Sequence, residues 1–418
     1  MLWQLSKKIT SRVVINSSFY LAYTLTGSFF GFILWLLSAK LLSTQSVGLG
    51  AAYINIIALI NFIGDLGISV VILRFLTSTE QQASHINSSA FVVILSNLFF
   101  SIIFVAGIPI WAPNMIELQQ HWVYTTIFIT TCIFFSLGIL VDHILIAYQR
   151  TNIAWVRILL MNTIRTLIFF ALLKKNVLIS FAFSLGLANL ITILPVIFFY
   201  LPNNEIKYHP LARINLKLLT DKATFAMGNH YFNFLKSVTP VLFPIIIINI
   251  LGAQANAFFY ISWMIGNAIL ILPTAISTTI FVDSVQNIAN YRAKNINAMR
   301  LSIILVTIIC PIAYFGSNLI LEFINPDYLA AQNLLGLIVL SAIPYTVNTF
   351  STNILRIEQK NKEIMIIASL LSSLSIILVI ILANNYGLTG TGLAWFVVQC
   401  AIAALSLGFI FSSLPKVS

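Results

Sequence analysis

Charge is what this sequence has least of. Of its 418 residues only 8% are Asp, Glu, Lys or Arg, while 59% are hydrophobic; a soluble domain carries about 25% charged residues. A water-soluble fold of this length has no interior able to hide so much apolar surface. Cysteine is nearly absent. Cys132, Cys310 and Cys400 lie in apolar runs without paired spacing, which excludes a disulfide framework or a cysteine zinc site. The connections lack paired carboxylates, clusters of metal ligands, a glycine-rich phosphate loop and any nucleophile motif, and so give no support to an enzyme. Apolar and polar residues do not alternate along the runs, which excludes a membrane barrel.

What is present is a series of apolar runs of roughly 20 residues, each long enough to cross a bilayer as a helix with its backbone hydrogen bonds closed internally. They predict spans at 13–37, 50–72, 88–110, 122–148, 153–173, 177–200, 225–251, 255–282, 299–323, 331–353, 363–383 and 389–411. The chain is therefore expected to be an all-α integral membrane protein with about twelve transmembrane helices. Its first run follows Lys7, Lys8 and Arg12. It is too long for a removable signal peptide and has no small-residue cleavage site, so it reads as the first span.

The net charge of +11 would point to nucleic acid in a soluble protein, but here the basic residues sit in short connections, where they orient the chain. One set of alternate connections holds nearly all of them, from Lys7 and Arg74 to Arg292, Lys360 and Lys416. The other holds only Lys40, Lys174 and Lys175. Both termini are expected in the cytoplasm, which requires an even number of spans.

An internal repeat is visible. Ile144-Leu145-Ile146-Ala147-Tyr148-Gln149-Arg150 recurs as Ile354-Leu355-Arg356-Ile357-Glu358-Gln359-Lys360, displaced by 210 positions, and Leu42-Ser43-Thr44-Gln45 as Leu251-Gly252-Ala253-Gln254, displaced by 209. Duplication gives an N-lobe over 1–205 and a C-lobe over 225–418, each with six spans, and a cytoplasmic connection over 206–224. Six is even, so the lobes are expected to be related by a pseudo-two-fold axis along the membrane normal, with a substrate path between them.

A cation at the centre of a membrane helix costs roughly 2.5–3.5 kcal/mol on insertion scales and calls for a reason. Lys236 and Arg165 are such cations. Lys236 shares a helical face with Asn229, Asn233 and Ser237, with His230 beside it, and the first span has a comparable stripe in Asn16, Tyr20, Tyr23, Thr24 and Gly27. These faces are expected either to line a central cavity or to pack helix on helix through small and amide groups. Arg150, Arg157 and Arg165, spaced by seven and eight, form either a ladder for a phosphate or partners for acids: Asp142 for Arg157 or Arg165, and Asp65 for Arg74. Asp65, Asp142 and His143, together with His230, are candidates for H⁺ or Na⁺ coupling, the histidines being equally suited to packing. Pro240, Pro244 and Pro273 permit bends.

Further motifs carry a resemblance. Leu41-Leu42-Ser43-Thr44-Gln45-Ser46-Val47-Gly48-Leu49-Gly50, then Leu66-Gly67-Ile68 with Arg74, then Phe323-Ile324-Asn325-Pro326-Asp327-Tyr328 and Asn385-Tyr386-Gly387-Leu388-Thr389-Gly390 make the chain similar to the polysaccharide flippases. These include the Wzx-type O-antigen flippases of the multidrug/oligosaccharidyl-lipid/polysaccharide exporter superfamily. The likeness extends over nearly the whole chain. It implies two six-helix lobes around a V-shaped cavity of the multidrug-exporter (MATE) type, and alternating access without a cofactor. It also implies export of an undecaprenyl-diphosphate-linked glycan from the cytoplasmic to the periplasmic leaflet of the bacterial inner membrane, with a polysaccharide polymerase and a chain-length regulator as partners.

Three rivals stand beside that expectation. A drug/cation antiporter of the same superfamily needs acids in its N-lobe cavity, and the first span has no Asp or Glu. Peptidoglycan-precursor flippases usually have fourteen spans. A membrane glycosyl polymerase or ligase holds its catalytic groups in a long periplasmic loop, whereas the longest outer connection here is near 111–121.

Overall fold

The computed structural model describes residues 2–173, 176–203, 208–286 and 290–412, without the side chains of 2–14, 178, 232, 236, 282, 285, 286, 411 and 412. Lys174, Lys175, Lys207 and Lys416, and the side chains of Lys7, Lys8, Arg12 and Lys236, thus lie outside the described residues.

The described chain is helical. In order it forms α1 (Leu2–Leu41), α2 (Thr44–Gly64), α3 (Ile68–Phe75), α4 (Gln82–Ala106), the short α5 (Ile108–Trp111) and α6 (Ile116–Gln120), α7 (Trp122–Ala147), α8 (Thr151–Leu172), α9 (Val177–Pro195), the single turns α10 (Leu201–Asn203) and α11 (Lys217–Thr220), and α12 (Ala223–Gln286). There follow α13 (Tyr291–Phe315), α14 (Ser317–Ile324), α15 (Gln332–Leu340), α16 (Ala342–Ile357) and α17 (Asn361–Ser412). Ten stretches among the described residues are long and apolar enough to cross a membrane. Two of these, in α12 and α17, reach 45 and 50 residues, twice what a hydrocarbon core of about 30 Å needs. Each is broken at one glycine, Gly252 (φ 86°) and Gly387 (φ 58°). Each therefore supplies two spans, which makes about twelve in a multi-pass membrane protein.

The second span departs from expectation. It was read as one helix over 50–72, but the backbone breaks after Gly64, with Leu66 at φ 50° and Gly67 at φ 79°. The Asp65 side chain restores the interrupted bonding by accepting from the Ser69 backbone N–H (3.2 Å) and hydroxyl (2.5 Å) at the start of α3, as helix caps do. Gly67 is required twice over: its φ suits glycine, and a Cβ there would lie 2.4 Å from the Ala226 carbonyl oxygen. The ninth and tenth spans are likewise interrupted, between α13 and α14 and between α15 and α16.

The described residues of Met1–Leu37 with Tyr53–Phe234 form one compact unit, and those of Ser38–Ala52 with Leu235–Ser418 a second. In the first, Ile72, Leu76, Ile144, Leu145 and Leu201 are fully buried at the heart of the core. Its connection 208–216 is docked on α4: the Asn87 amide donates to the carbonyls of Pro210 (3.0 Å) and Ala212 (2.9 Å) and accepts from the Tyr208 hydroxyl (2.8 Å). In the second unit, Phe243, Phe259, Trp263 and Trp395 form an aromatic cluster with ring centroids 4.8–6.2 Å apart. The segment before Tyr53 belongs here because α2 meets α12 closely. Asn256 Nδ2 donates to the Gly48 carbonyl (2.7 Å), and a Cβ on Gly48 would lie 1.7 Å from the Ala253 oxygen.

The repeat is preserved in backbone geometry. Gln149 (φ 56°) and Gln359 (φ 55°) are both left-handed, and each lets the next N–H close the helix, Arg150 N to Leu145 O (2.8 Å) and Lys360 N to Leu355 O (2.9 Å). All positions in the two turns differ by 210.

Candidate functional site

The tight turn at 148–150 returns α8 against α7 and brings Arg157 to Asp142. Nε donates to Oδ1 (2.5 Å) and Nη2 to Oδ2, with both side chains only 3% and 2% exposed. Such a fork is the geometry in which a guanidinium satisfies a carboxylate without water. Tyr23 of α1 donates its hydroxyl to Asp142 Oδ2 (2.9 Å), while Arg157 Nη1 reaches Asn189 and Thr192 of α9, each at 3.4 Å. Four helices thus converge on one neutralised charge pair. Of the two roles open to Arg157, this arrangement is the ion pair, and a closed pair cannot hand an anion along a ladder. Arg150 stands apart at the exposed start of α8, and Arg165 is half-buried two turns beyond Arg157.

The first-span stripe divides. Asn16 accepts from the Thr151 hydroxyl (3.0 Å), Thr26 from the Trp155 indole (3.0 Å), and Phe19 packs on Trp155 at 5.6 Å. Asn16 and Tyr23 are therefore engaged with α8 and α7. Tyr20 is exposed and stacks on Tyr23, and the exposed Thr24 bonds back to the Tyr20 carbonyl.

The expected pair of Asp65 with Arg74 does not form. Asp65 is committed to Ser69 at the helix break, whereas Arg74, exposed near the end of α3, lies over the rings of Phe225 (4.6 Å) and Phe75 (5.5 Å). His143 holds the Ile139 carbonyl of its own helix through Nδ1 (2.7 Å). On the first turns of α12, Asn229 and Asn233 are exposed, Asn229 donating to the Phe225 carbonyl. His230 lines an apolar cavity of 600 Å³ within the first unit, bounded by Ile63, Leu66, Val71 and Val92 on one side and by Leu219, Ala226 and Phe234 on the other.

The second unit has a charge cluster where the start of α13 meets the end of α16. Glu358 accepts from Tyr291 (2.8 Å) and Arg292 (2.7 Å) and pairs with Lys360 (3.0 Å). Burial alone would raise its carboxyl, but the hydrogen bonds from Tyr291, Lys360 and Arg292 outweigh burial and hold it below the ordinary value. In the first unit the equivalent Tyr148 donates to Gln82 (2.8 Å). Deeper in the second unit Asn348 bonds Gln399 (2.7 Å). No cluster of three metal-ligating side chains occurs among the described residues.

Reading the sequence missed Asn189 and Thr192 as parts of the charge site, and Lys222 beside Arg74. An amide and a hydroxyl three residues apart in a largely apolar span were the available signal for the first two.

No family model matches the sequence, and no curated protein does. Solved structures do match. With a structure of the lipid II flippase MurJ in an inward closed conformation the TM-score is 0.76 at 16% identity, over 95% of this chain and 88% of that one. With an inward-facing multidrug resistance MATE family transporter of the MOP superfamily it is 0.65 at 14% identity, over 96% of each chain. An outward-facing conformation of such a transporter gives 0.62 at 13% identity, over 98% and 96%. At these identities the likeness is one of fold.

Proposed function

We propose that the chain is a flippase of the multidrug/oligosaccharidyl-lipid/polysaccharide type. It moves an undecaprenyl-diphosphate-linked oligosaccharide from the cytoplasmic to the periplasmic leaflet of the bacterial inner membrane by alternating access, without chemistry on its cargo. The observation that carries this reading is electrostatic. Asp142, the buried acid of the first unit, is already neutralised by Arg157 and bonded by Tyr23, so it offers no vacant seat for a cationic drug. The cations placed within apolar spans, Arg165 and Lys236, suit an anionic diphosphate. The fold shared with a lipid II flippase, at the higher TM-score of 0.76, supports the same reading.

Lys236 and Arg165 are assigned to the diphosphate, and Asn229, Asn233 and His230 to the glycan. Lys236→Ala and Arg165→Ala are expected to abolish surface-polysaccharide export at protein levels matched to wild type. Normal export by both variants would remove the cationic translocation site. Coupling to H⁺ or Na⁺ through Asp65 or His143 belongs to the same proposal, Asp142 being taken up by Arg157. Flux in proteoliposomes that ignores both gradients would refute that part.

The second reading, a cation-coupled drug antiporter, is favoured by the fold shared with MATE transporters. It requires gradient-driven uptake of a cationic dye by proteoliposomes, which the flippase reading does not.

A further inference from the structure

The duplicated halves differ at one set of equivalent positions, and the difference leaves charge uncompensated in the first unit. The register is fixed by a bond that both halves make: Tyr148 to Gln82 in the first (2.8 Å), and Tyr291 to Glu358 in the second (2.8 Å). Gln82 opens α4 as Tyr291 opens α13, 209 positions on. The same displacement carries Arg74 to Asp283 and His85 to Lys294. In the second unit these two form an ion pair, Lys294 Nζ to Asp283 Oδ2 at 2.7 Å. In the first unit the pair has become a guanidinium and an imidazole, which cannot neutralise one another. His85 is fully buried, and neither ring nitrogen finds a hydrogen-bond partner among the described residues.

A second cation joins them. Lys222, immediately before α12, lies over the Phe75 ring at 5.4 Å and is near enough to His85 to act on it electrostatically. Arg74 lies over Phe225 and Phe75, whose rings meet edge to face at 5.2 Å. Two cations are thus held on one aromatic pair. Asp221 is exposed beside Lys222, but no acid forms an ion pair with Arg74 or Lys222 among the described residues. Cation–π contacts position a charge without neutralising it; Lys222 Nζ also donates to the Leu218 carbonyl (2.8 Å), which uses one of its three donors and leaves its charge uncompensated.

The aromatic pair stands one turn from the apolar cavity, whose wall includes Val71 of α3 and Thr220 and Ala223 on either side of Lys222. That cavity continues into a depression of 410 Å³ along the outer face of α4, sharing Leu66, Val92 and Leu216 with it and adding Phe91, Leu95 and Phe99. The first cavity alone, at 600 Å³, is within the range of ligand sites. Arg74 and Lys222 stand just outside it, beside the wall residues Val71, Thr220 and Ala223, and the far end is almost wholly apolar, Ser96 being its polar residue, among membrane-spanning helices. A soluble anion has no use for the groove, and an apolar peptide none for the cations.

We propose that Arg74 and Lys222 seat the diphosphate headgroup of a lipid whose chain lies in the groove between α4 and the start of α12, an entry site within the first unit. It rests on the flippase reading for the class of cargo, and adds a place where that cargo docks before translocation. Arg is suited to bidentate phosphate contacts and Lys to a point charge beside them.

The test uses the full-length protein in nanodiscs of phosphatidylcholine, with binding of farnesyl diphosphate measured in competition with farnesol and with inorganic diphosphate. Wild type is expected to prefer farnesyl diphosphate to both competitors by at least tenfold. Arg74→Gln/Lys222→Gln should weaken it at least tenfold, with Arg74→Lys retaining most binding. Ala223→Trp, at an exposed wall position, should weaken farnesyl diphosphate and leave inorganic diphosphate unchanged. Equal binding by the double variant, eluting as a folded protein, overturns the seat; if export by wild type stands, the flippase reading survives. Inorganic diphosphate competing as well as the lipid overturns the groove's role. Failure of wild type to bind farnesyl diphosphate, together with failure to support export, removes both.

Discussion

Asp142→Asn removes one charge from a site that excludes water. Asparagine fills the same space, so the perturbation is electrostatic: Arg157, 3% exposed, keeps its charge and loses its counterion. Breaking a buried pair from one side costs about 3–5 kcal/mol, because the desolvated partner remains. That is roughly 2.2 to 3.7 powers of ten in the folded-to-unfolded ratio at about 1.36 kcal/mol per decade. Tyr23→Phe removes only the 2.9 Å bond to Asp142, about 1.5–3 kcal/mol for a hydrogen bond to a charged group. On the Asp142→Asn background it should cost less, since the two share a partner. Replacing both charges, Asp142→Leu with Arg157→Met, should recover most of the loss, because apolar isosteres of a buried pair are often neutral or stabilising. Denaturant titration in mixed micelles, followed by tryptophan fluorescence, measures all four variants. Wild-type stability in Asp142→Asn, or a double variant as unstable as the single one, would refute a structural pair. Recovered stability without recovered export would show that the pair also serves transport.

Gly67→Ala should cost at least about 1–2 kcal/mol from the left-handed backbone alone, more because of the Ala226 oxygen at 2.4 Å; the same titration measures it, and an unchanged midpoint contradicts the close approach. Gln149→Gly and Gln359→Gly, both at φ near 55°, should each stabilise by about 0.5 kcal/mol, the relief of left-handed strain being partly offset by chain entropy. Glu358 has a lowered carboxyl, so its contribution to stability is complete above its ordinary value of 4.5 and disappears as the pH falls through the lowered one. Glu358→Gln should flatten the acid limb of a stability-versus-pH curve, and an unchanged limb would assign acid sensitivity elsewhere.

The helices were legible because a membrane imposes one rule on every span: about 20 apolar residues with internally satisfied backbone. That rule is silent about interruptions. The run through Asp65 and Gly67 keeps its hydropathy across a break that only the Asp65 cap and the approach of Ala226 reveal. The turn motif at Gln149 and Gln359 was legible as a repeat, but its left-handed geometry was not, since glutamine does not advertise it. Asp142 with Arg157 was visible as one of two partnerships. Which one forms depends on the turn at 148–150 placing the two helices side by side. Asn16 and Thr24 look alike on a helical wheel, yet one is tied to Thr151 and the other is open, a distinction set by neighbours far away in sequence.

The single-residue breaks at Gly252 and Gly387 leave no slack between the helices they join. α17 would be about 78 Å long if straight, so its two arms must double back at Gly387, and neither can settle in lipid while the other waits outside. They are expected to enter the bilayer as one hairpin. Lengthening that corner by a few flexible residues would uncouple the arms and let the last span lag behind or miss its orientation altogether.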